Sequence, residues 1–594
     1  MRLADYVFQR LVEVGATHIY GVSGRGALFL TDAVAKSEAV TYVAMHHEQG
    51  AGYAAVAHTD YSNSPGVCLV STGCASTNAI TPVLSAWQDG IGTFFISGQN
   101  VLNETSNFTQ KQVRTFGQQE ADIIPIVESI TKYAAMVQNP NDIGIIMDEA
   151  IYNAMNGRKG PVWIDIPLDL QSASVNPEIL PRASYKSIEA AKISTENLLD
   201  VASNLRDAKR PLILIGSGTK EPLTKTLINK ILTEFEIPVV YSASAVDVAD
   251  SSSQLVIGSV GMMACSRAGN FAIQNADYLL VLGNRLTSMT TGVNASDFAP
   301  RAVIDVVDID PVEHSKHNLP IRNLIESDCG EFLDLLIPKL DKSSKNPWLE
   351  TLKEWKTDFS GIEPHFDEGA EVDLYQLAGL LSEFLSNSAT LITDSGLNEL
   401  ILPPNVSFRD SQRCIHPASQ GAMGFSLPAA VGAHFSGASD ITVVVGDGSL
   451  MMNIQELETI RNYNILLKII VVNNNAYAVI RKRQQELFRN RTIGTDPENG
   501  VSIPNLQDVA MCFGLKYVLI ENTSQLKQYL EANESIESPV LLEVMGKHDQ
   551  DYIQVTQMQD ENKRLVRLPI DNQHPLIDPD RYLRLKSLPG NVDR

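Results

Sequence analysis

The chain has 594 residues, 44% apolar content and a formal net charge of −23. That length exceeds what one hydrophobic core supports and predicts about three domains. The acidic balance argues against nucleic acid or an anionic membrane as partner, no apolar run approaches transmembrane length, and six scattered cysteines give neither a metal spacing nor a disulfide framework.

Strand and helix patterns alternate from end to end, which predicts an α/β protein whose domains are parallel sheets flanked by helices. The first unit, 1–171, opens with Ile19-Tyr20-Gly21 followed by Gly24 and Gly26. A short strand, Val40 to Ala44, then leads into His47-Glu48-Gln49-Gly50-Ala51, which starts an Ala-rich helix. A Glu in a first helical turn is favoured by the helix dipole in any protein. Leu69-Val70-Ser71-Thr72-Gly73 reads as a strand ending in a turn, and Gly160 to Pro167 as the closing strand. Residues 172–190 form a polar linker. The central unit, 190–340, begins with Pro211-Leu212-Ile213-Leu214-Ile215-Gly216-Ser217-Gly218 and includes Gly283-Asn284-Arg285 and Asp308-Ile309-Asp310-Pro311. Residues 341–371 read as a second, charged linker.

The third unit, 372–550, holds the most informative stretch. Strand Ile441–Val445 runs into Gly446-Asp447-Gly448-Ser449, and Leu450–Tyr463 reads as an amphipathic helix. Strand Leu467–Val472 ends at Asn473-Asn474-Asn475. In a parallel sheet both polar clusters lie at carboxyl ends of strands, where ligands bind. One carboxylate, one amide oxygen and a backbone carbonyl suit an octahedral Mg²⁺ that also holds a diphosphate. Gly448 allows close backbone approach, and the helix start offers its N–H groups to phosphate. The tail, 551–594, carries Pro569, Pro575, Pro579 and Pro589, which predict irregular structure. No short-period repeat is present, and the first and third units could share one fold.

These motifs together resemble thiamine diphosphate (ThDP) enzymes, and over nearly the whole chain the acetolactate synthase branch. The resemblance implies pyrimidine-binding, central and diphosphate-binding domains in that order. It makes Glu48 the glutamate that bonds the cofactor's aminopyrimidine and starts the proton exchange that activates it. Asp447 and Asn474 become side-chain ligands of Mg²⁺, with the Ala476 carbonyl a third. Met423, in Gly421-Ala422-Met423-Gly424-Phe425, matches the apolar residue that holds the cofactor bent. Gly24, Thr72, Gly73, Gly396, Gly421, Gly446, Gly448, Ser449 and Tyr477 fall at cofactor-binding positions, and Gln119 at an active-site glutamine. Cofactor is shared between subunits in this family, so the resemblance implies a homodimer or a dimer of dimers.

Departures from the family bear on the substrate. Synthases carry Phe where this chain has Gln118, and Trp in a mobile loop where it has Gln484. Their Gly-Gln-His-Gln element is here Gly396-Leu397-Asn398-Glu399. Replacement of two aromatic residues by amides suggests an acceptor pocket that hydrogen-bonds hydroxyls. Arg481, Lys482 and Arg483 share the Gln484 loop and could meet phosphates. In the central unit Gly216, Arg285 and Asp308 echo an FAD-contacting stretch, without the acidic pair that usually follows the arginine. The expected function is a ThDP- and Mg²⁺-dependent carboligase that moves a two-carbon unit from pyruvate to a second carbonyl, with a polar keto sugar favoured as acceptor. Acetolactate synthase proper, a simple 2-oxo acid decarboxylase and a non-catalytic homologue are the alternatives. The N-terminus lacks a signal peptide's apolar core, and a cytoplasmic location is expected.

Overall fold

A computed structural model describes residues 1–185, 193–316, 318–341, 346–366, 369–532, 535–559, 565–588 and 590. Residues 186–192 at the first linker, parts of the second linker and Pro589 of the tail lie outside the described residues.

Three six-stranded sheets form the frame, and every strand pair within them is parallel. The first comprises β1 (His18–Gly21), β2 (Thr41–Ala44), β3 (Val67–Val70), β4 (Phe94–Gln99), β5 (Tyr133–Met136) and β6 (Val162–Pro167). The second comprises β7 (Pro211–Ile215), β8 (Val239–Tyr241), β9 (Val256–Ser259), β10 (Tyr278–Leu282), β11 (Val303–Asp308) and β12 (Ile321–Glu326). The third comprises β13 (Thr390–Thr393), β14 (Arg413–Ile415), β15 (Ile441–Gly446), β16 (Leu467–Asn473), β17 (Lys516–Ile520) and β18 (Val540–Met545). Central strands such as β7 and β10 are apolar throughout and buried throughout. Continuous apolar runs of this kind fit sheets covered by helices on both faces.

The first sheet has the order β2-β1-β3-β4-β6-β5 and the third β14-β13-β15-β16-β18-β17. Counted within each sheet these are one topology, as the sequence allows. The second runs β12-β11-β10-β7-β8-β9, the doubly wound order with its reversal between β7 and β10.

The first and third domains meet through two helices, Glu48–Ser62 and Ser426–Phe435. From Gly50 to Thr59 every residue of the first helix is buried. Its small side chains let the backbones approach: a Cβ on Gly432 would lie 2.0 Å from the Ala54 carbonyl. Tyr53 and Phe425 pack edge to face at 5.3 Å, and the Tyr20 hydroxyl bonds His58 Nδ1 at 2.8 Å. Arg413 ties in the central domain. Its guanidinium donates to Asp247 at 2.9 Å and to the carbonyls of Tyr61 and Asp60 at 2.8 and 3.0 Å. Burial alone would raise Asp247, yet Lys225, Arg413 and Lys220 hold it well below the usual carboxylate range.

Four expectations need correction. The helix read over Leu450–Tyr463 is split into Asp447–Leu450 and Glu456–Asn462. Asn453 breaks it, because its buried amide leaves the helix to bond Gly424 O and Gln49. The second linker contains a helix, Pro347–Asp358, whose Trp348, Leu352 and Trp355 are all 0% exposed. That spacing of i, i+4, i+7 is an amphipathic stripe. The tail is irregular at Pro569 and Pro575, as its prolines suggest, but not at Pro579. Pro579 opens a helix to Lys586, as proline does at a first turn, and the Leu585 carbonyl accepts from Trp355 Nε1 at 3.1 Å. The loop expected around Gln484 is the helix Ala478–Phe488. Its basic residues are taken up by acids and the tail: Arg481 by Asp496 and Asp549, Lys482 by Asp551, Arg483 by Glu486 and Gln554.

Candidate active site

Asp447 follows the carboxyl end of β15 and is 2% exposed. Its two oxygens accept from the backbone N–H groups of Gly448 and Asn475, both at 2.6 Å. Burial still pushes the carboxyl up to about 6. A buried carboxylate with no cation beside it resists ionising, and a bound divalent ion would reverse this. Asn475 sits at φ +53°, which turns the chain after β16 back toward β15. Asn474 Oδ1 is held by the Ala476 N–H at 3.2 Å. The donor set of carboxylate, amide oxygen and nearby carbonyl therefore fits a hard oxygen-seeking cation.

The glycines around this point form a cradle. A Cβ on Gly448 would lie 2.0 Å from the Tyr477 ring, so the ring lies flush on the turn. Gly396 at φ +91° faces open space, and a Cβ on Gly446 or Gly421 would meet nothing nearer than 3.6 Å. Asn398 is 3% exposed and its Oδ1 has no partner among the described residues. An unpaired buried oxygen beside open glycine backbone is what a polar ligand would satisfy. Asp394, at the end of β13, accepts from Gly424 N at 3.0 Å and Ser426 N at 2.8 Å. It thereby fixes the segment carrying Met423, which is half-buried. Ser449 is buried.

The second cluster belongs to the first domain. Helix Glu48–Ser62 starts at Glu48, capped by the His47 ring, which accepts from Gln49 N at 3.1 Å. Glu48 Oε2 accepts from Asn78 Nδ2 at 2.9 Å. The turn at Gly24 and Gly26 rests on Ser71 and Thr72, and Gly26 N donates to Ser71 Oγ at 3.1 Å. Gly73 adopts φ +61°, and a Cβ there would lie 1.6 Å from the Gln119 carbonyl. Gln119 itself has φ +59°, an uncommon conformation for a residue with a side chain. Gln118 lies beside it, with Oε1 accepting from Arg25 at 2.6 Å.

Asn453 joins the two clusters: Nδ2 donates to Gln49 Oε1 at 3.1 Å and to the Gly424 carbonyl at 2.8 Å. Glu456 accepts from His46 N at 3.3 Å. No hydrogen bond among the described residues joins Glu48 to Asp447 or Asn474. Gln484 is not brought to Gln118. Its amide is consumed by the backbone of Ile493, accepting from N at 2.7 Å and donating to O at 3.2 Å. Sequence reasoning misses Asp394, Asn453 and Glu456. Only Asp394 carries a readable signal, an acid at a strand end followed by Ser395-Gly396.

A cleft between all three domains is lined by Ser217, Gly218, Gly283, Arg285, Asp308 and Asp328. It opens at the β7/β10 reversal. Arg285 donates to Ser419 Oγ at 2.6 Å. Both oxygens of Asp308 serve its own loop, through Asp310 N at 2.9 Å and His314 Nε2 at 3.1 Å. Gly216 packs beneath, where a Cβ would lie 2.4 Å from the Gly283 carbonyl.

Two sheets of one topology, whose domains meet through a pair of helices, with a glycine cradle and a buried acid at strand ends, define a three-domain α/β enzyme fold that takes a phosphorylated ligand. Three family matches cover it: the thiamine pyrophosphate enzyme N-terminal TPP binding domain over residues 1–125, the central domain over 198–336 and the C-terminal TPP binding domain over 394–544. The chain is 31% identical to the mitochondrial acetolactate synthase of Schizosaccharomyces pombe, over 89% of this chain and 81% of the relative. It is 29% identical to the acetolactate synthase large subunit of Lactococcus lactis, over 91% and 92%. Against the isozyme 1 large subunit of Escherichia coli the figures are 28%, 91% and 93%. The chain belongs to the thiamine diphosphate-dependent enzymes, in their acetolactate synthase-like branch. No helix among the described residues is long and apolar enough to cross a membrane.

Proposed function

We propose that the protein is a ThDP- and Mg²⁺-dependent carboligase that decarboxylates a 2-oxo acid, pyruvate, and transfers the two-carbon unit to a second carbonyl. The observation that carries this reading is the Asn453 amide, bonded at once to the residue after Glu48 and to the segment of Met423. It ties the domain that carries Glu48 to the domain that carries Asp447 and Asn474 within one chain, and the cofactor would bind between such domains of paired subunits. When bound, ThDP supplies the electron sink for decarboxylation. Asp447, Asn474 and the Ala476 carbonyl hold Mg²⁺. Gly396, Gly421, Gly446, Gly448, Ser449 and Tyr477 cradle the diphosphate, and Met423 supports the ring. Gly24, Thr72 and Gly73 receive the pyrimidine end, where Glu48 exchanges the proton. Gln119 meets the substrate.

For the acceptor, Gln118 and its partner Arg25 present a polar edge, which favours a hydroxyl-bearing carbonyl compound such as a keto sugar. A second reading, acetolactate synthase proper, is favoured by Gln484, whose amide is held by the backbone of Ile493 through one donated and one accepted bond, which gives it a structural role in its own segment. The central cleft we assign to a dinucleotide, FAD, because it lies at the reversal of a doubly wound sheet. Release of flavin fluorescence on denaturing the purified protein tests that assignment. Active assemblies are homodimers or dimers of dimers, and the six unpaired thiols suit a reducing cytoplasm. The deciding experiment is incubation with pyruvate, ThDP and Mg²⁺ plus a panel of acceptors, read by mass spectrometry. Ligated sugar supports the first reading and acetolactate the second. Acetaldehyde alone, or no turnover, overturns both.

A further inference from the structure

We propose that Asp165 is a positioning residue for the acceptor: through Gln99 it holds the loop 117–123 that carries Gln118 and Gln119, and its charge sets that loop for ligation. This rests on the reading that the loop meets the acceptor. Asp165 lies inside β6, all six residues of which are buried, is 1% exposed and touches no part of the cradle described above. Ser97 Oγ donates to Oδ1 at 2.5 Å, and Gln99 Nε2 donates to Oδ2 at 3.1 Å. Trp163 Nε1 donates to Ser97 Oγ at 2.9 Å, which turns the Ser97 hydrogen toward Asp165.

Gln99 is the link to the loop. The same Nε2 donates to the Ala121 carbonyl at 2.9 Å, and Oε1 accepts from Asn100 N at 3.0 Å. Asn100 in turn donates to the Gln118 carbonyl at 2.9 Å. Two neighbouring side chains thus grip the loop on both sides of Gln119, which sits strained against Gly73. Both oxygens of Asp165 are met by donors when it is charged. A proton on Asp165 puts a donor opposite either the Ser97 hydroxyl or the Gln99 amide, both of which are already donating. Its grip on Gln99 then weakens.

The groups that face Asp165 are Glu120 and Asp122 of the loop, Ser97 and Gln99 on β4, and Met136 paired on β5. Arg25 reaches the loop from outside at Gln118. Glu120 is itself engaged by Ser106 and Phe116 N. Burial first, then the two acids, push Asp165 up to about 7, against the pull of Ser97 and Gln99. The sign follows: the gripping form is charged, so it prevails above that value and is lost as pH falls through it.

The test uses the holoenzyme with ThDP, Mg²⁺ and pyruvate, titrating the second carbonyl compound from pH 6 to 8. Fewer molecules carry charged Asp165 at pH 6 than at pH 8, so the acceptor KM should be higher at pH 6, by up to about tenfold. Acceptor-free decarboxylation should not share that inflection. Asp165→Asn should flatten the profile at the acid-side KM. Ser97→Ala removes a donor to the charged form and should move the inflection to higher pH. An infrared carboxyl band seen at pH 6, lost at pH 8 and absent in Asp165→Asn would report the proton directly. A wild-type inflection in Asp165→Asn, or an unmoved one in Ser97→Ala, overturns the proposal; the latter decides if Asp165→Asn does not fold. Gln119→Ala separates the two ideas. If it leaves acceptor KM unchanged at pH 8, the loop reading falls and this inference with it. If it raises KM while Asp165→Asn keeps the wild-type profile, only the link to Asp165 falls.

Discussion

The first and third domains are one topology put to two uses. In the third, polar groups follow the ends of adjacent strands: Asp394, which braces the segment of Met423, after β13, and the proposed metal ligands Asp447 and Asn474 after β15 and β16. The sheet itself fixes their spacing, and the site is rigid backbone plus one acid. In the first, the strand ends carry small turns at Gly24 and Thr72-Gly73, and the chemistry proposed above falls on a helix start at Glu48 and a strained loop at Gln118-Gln119. The same scaffold thus yields a cradle that holds and a rim that acts. Phosphate needs dense, fixed N–H groups, whereas proton exchange and acceptor choice need side chains with room to respond.

That division can be broken most severely at Asp447. Asp447→Ala should abolish turnover and lower ThDP affinity in the presence of Mg²⁺ by more than the ~10–100-fold that loss of a supporting group costs. Calorimetry showing unchanged affinity would remove the acid from the cradle. Glu48→Gln tests the other half. Affinity for ThDP should stay near that of wild type, while kcat falls by about 10²–10⁴; retained turnover would mean that the rim does not act. A smaller effect separates the glutamines. Gln118→Phe should shift the ratio of acetolactate to polyhydroxylated product by about ten- to a hundredfold, the equivalent of an unpaired amide at ~1–3 kcal/mol. Gln484→Trp should instead lower stability, by loosening Ile493, with little change in that ratio. The reverse pattern would restore Gln484 to the pocket. Smallest is Asn453→Ala, which unties the halves. It leaves the buried Gly424 carbonyl and the part-buried Gln49 Oε1 short of a donor and should cost about 1–3 kcal/mol, read as a lower Tm with the cofactor site still loaded.

Much of this is legible in the amino-acid sequence alone, and for a physical reason. β15, β16 and the turns after them are local, so Gly446-Asp447-Gly448 and Asn473-Asn474-Asn475 reveal themselves by strand patterns and spacing. The Glu48 helix start is local too. What stays hidden depends on partners far along the chain. In sequence Asn453 is one more polar residue of an amphipathic helix; only in the fold do Gln49 and Gly424 claim its amide. Arg481, Lys482 and Arg483 look free because Asp549, Asp551 and Gln554 are remote in sequence. The tail looks irregular by its prolines, and the stripe Trp348, Leu352, Trp355, which gives its helix something to pack on, lies in a stretch whose charge reads as linker.

The helix Glu48–Ser62 carries one more implication, about time. It is buried along Gly50–Thr59, and part of what covers it, helix Ser426–Phe435, leaves the ribosome about 360 residues later. At roughly 5–20 residues per second that delay lasts on the order of 20–70 s. Through that interval an alanine-rich, almost uncharged face stands open on an otherwise folded first domain. A holding factor supplied during synthesis should therefore raise the yield of this protein, and slowed translation between residues 62 and 426 should lower it more than slowed translation after 435.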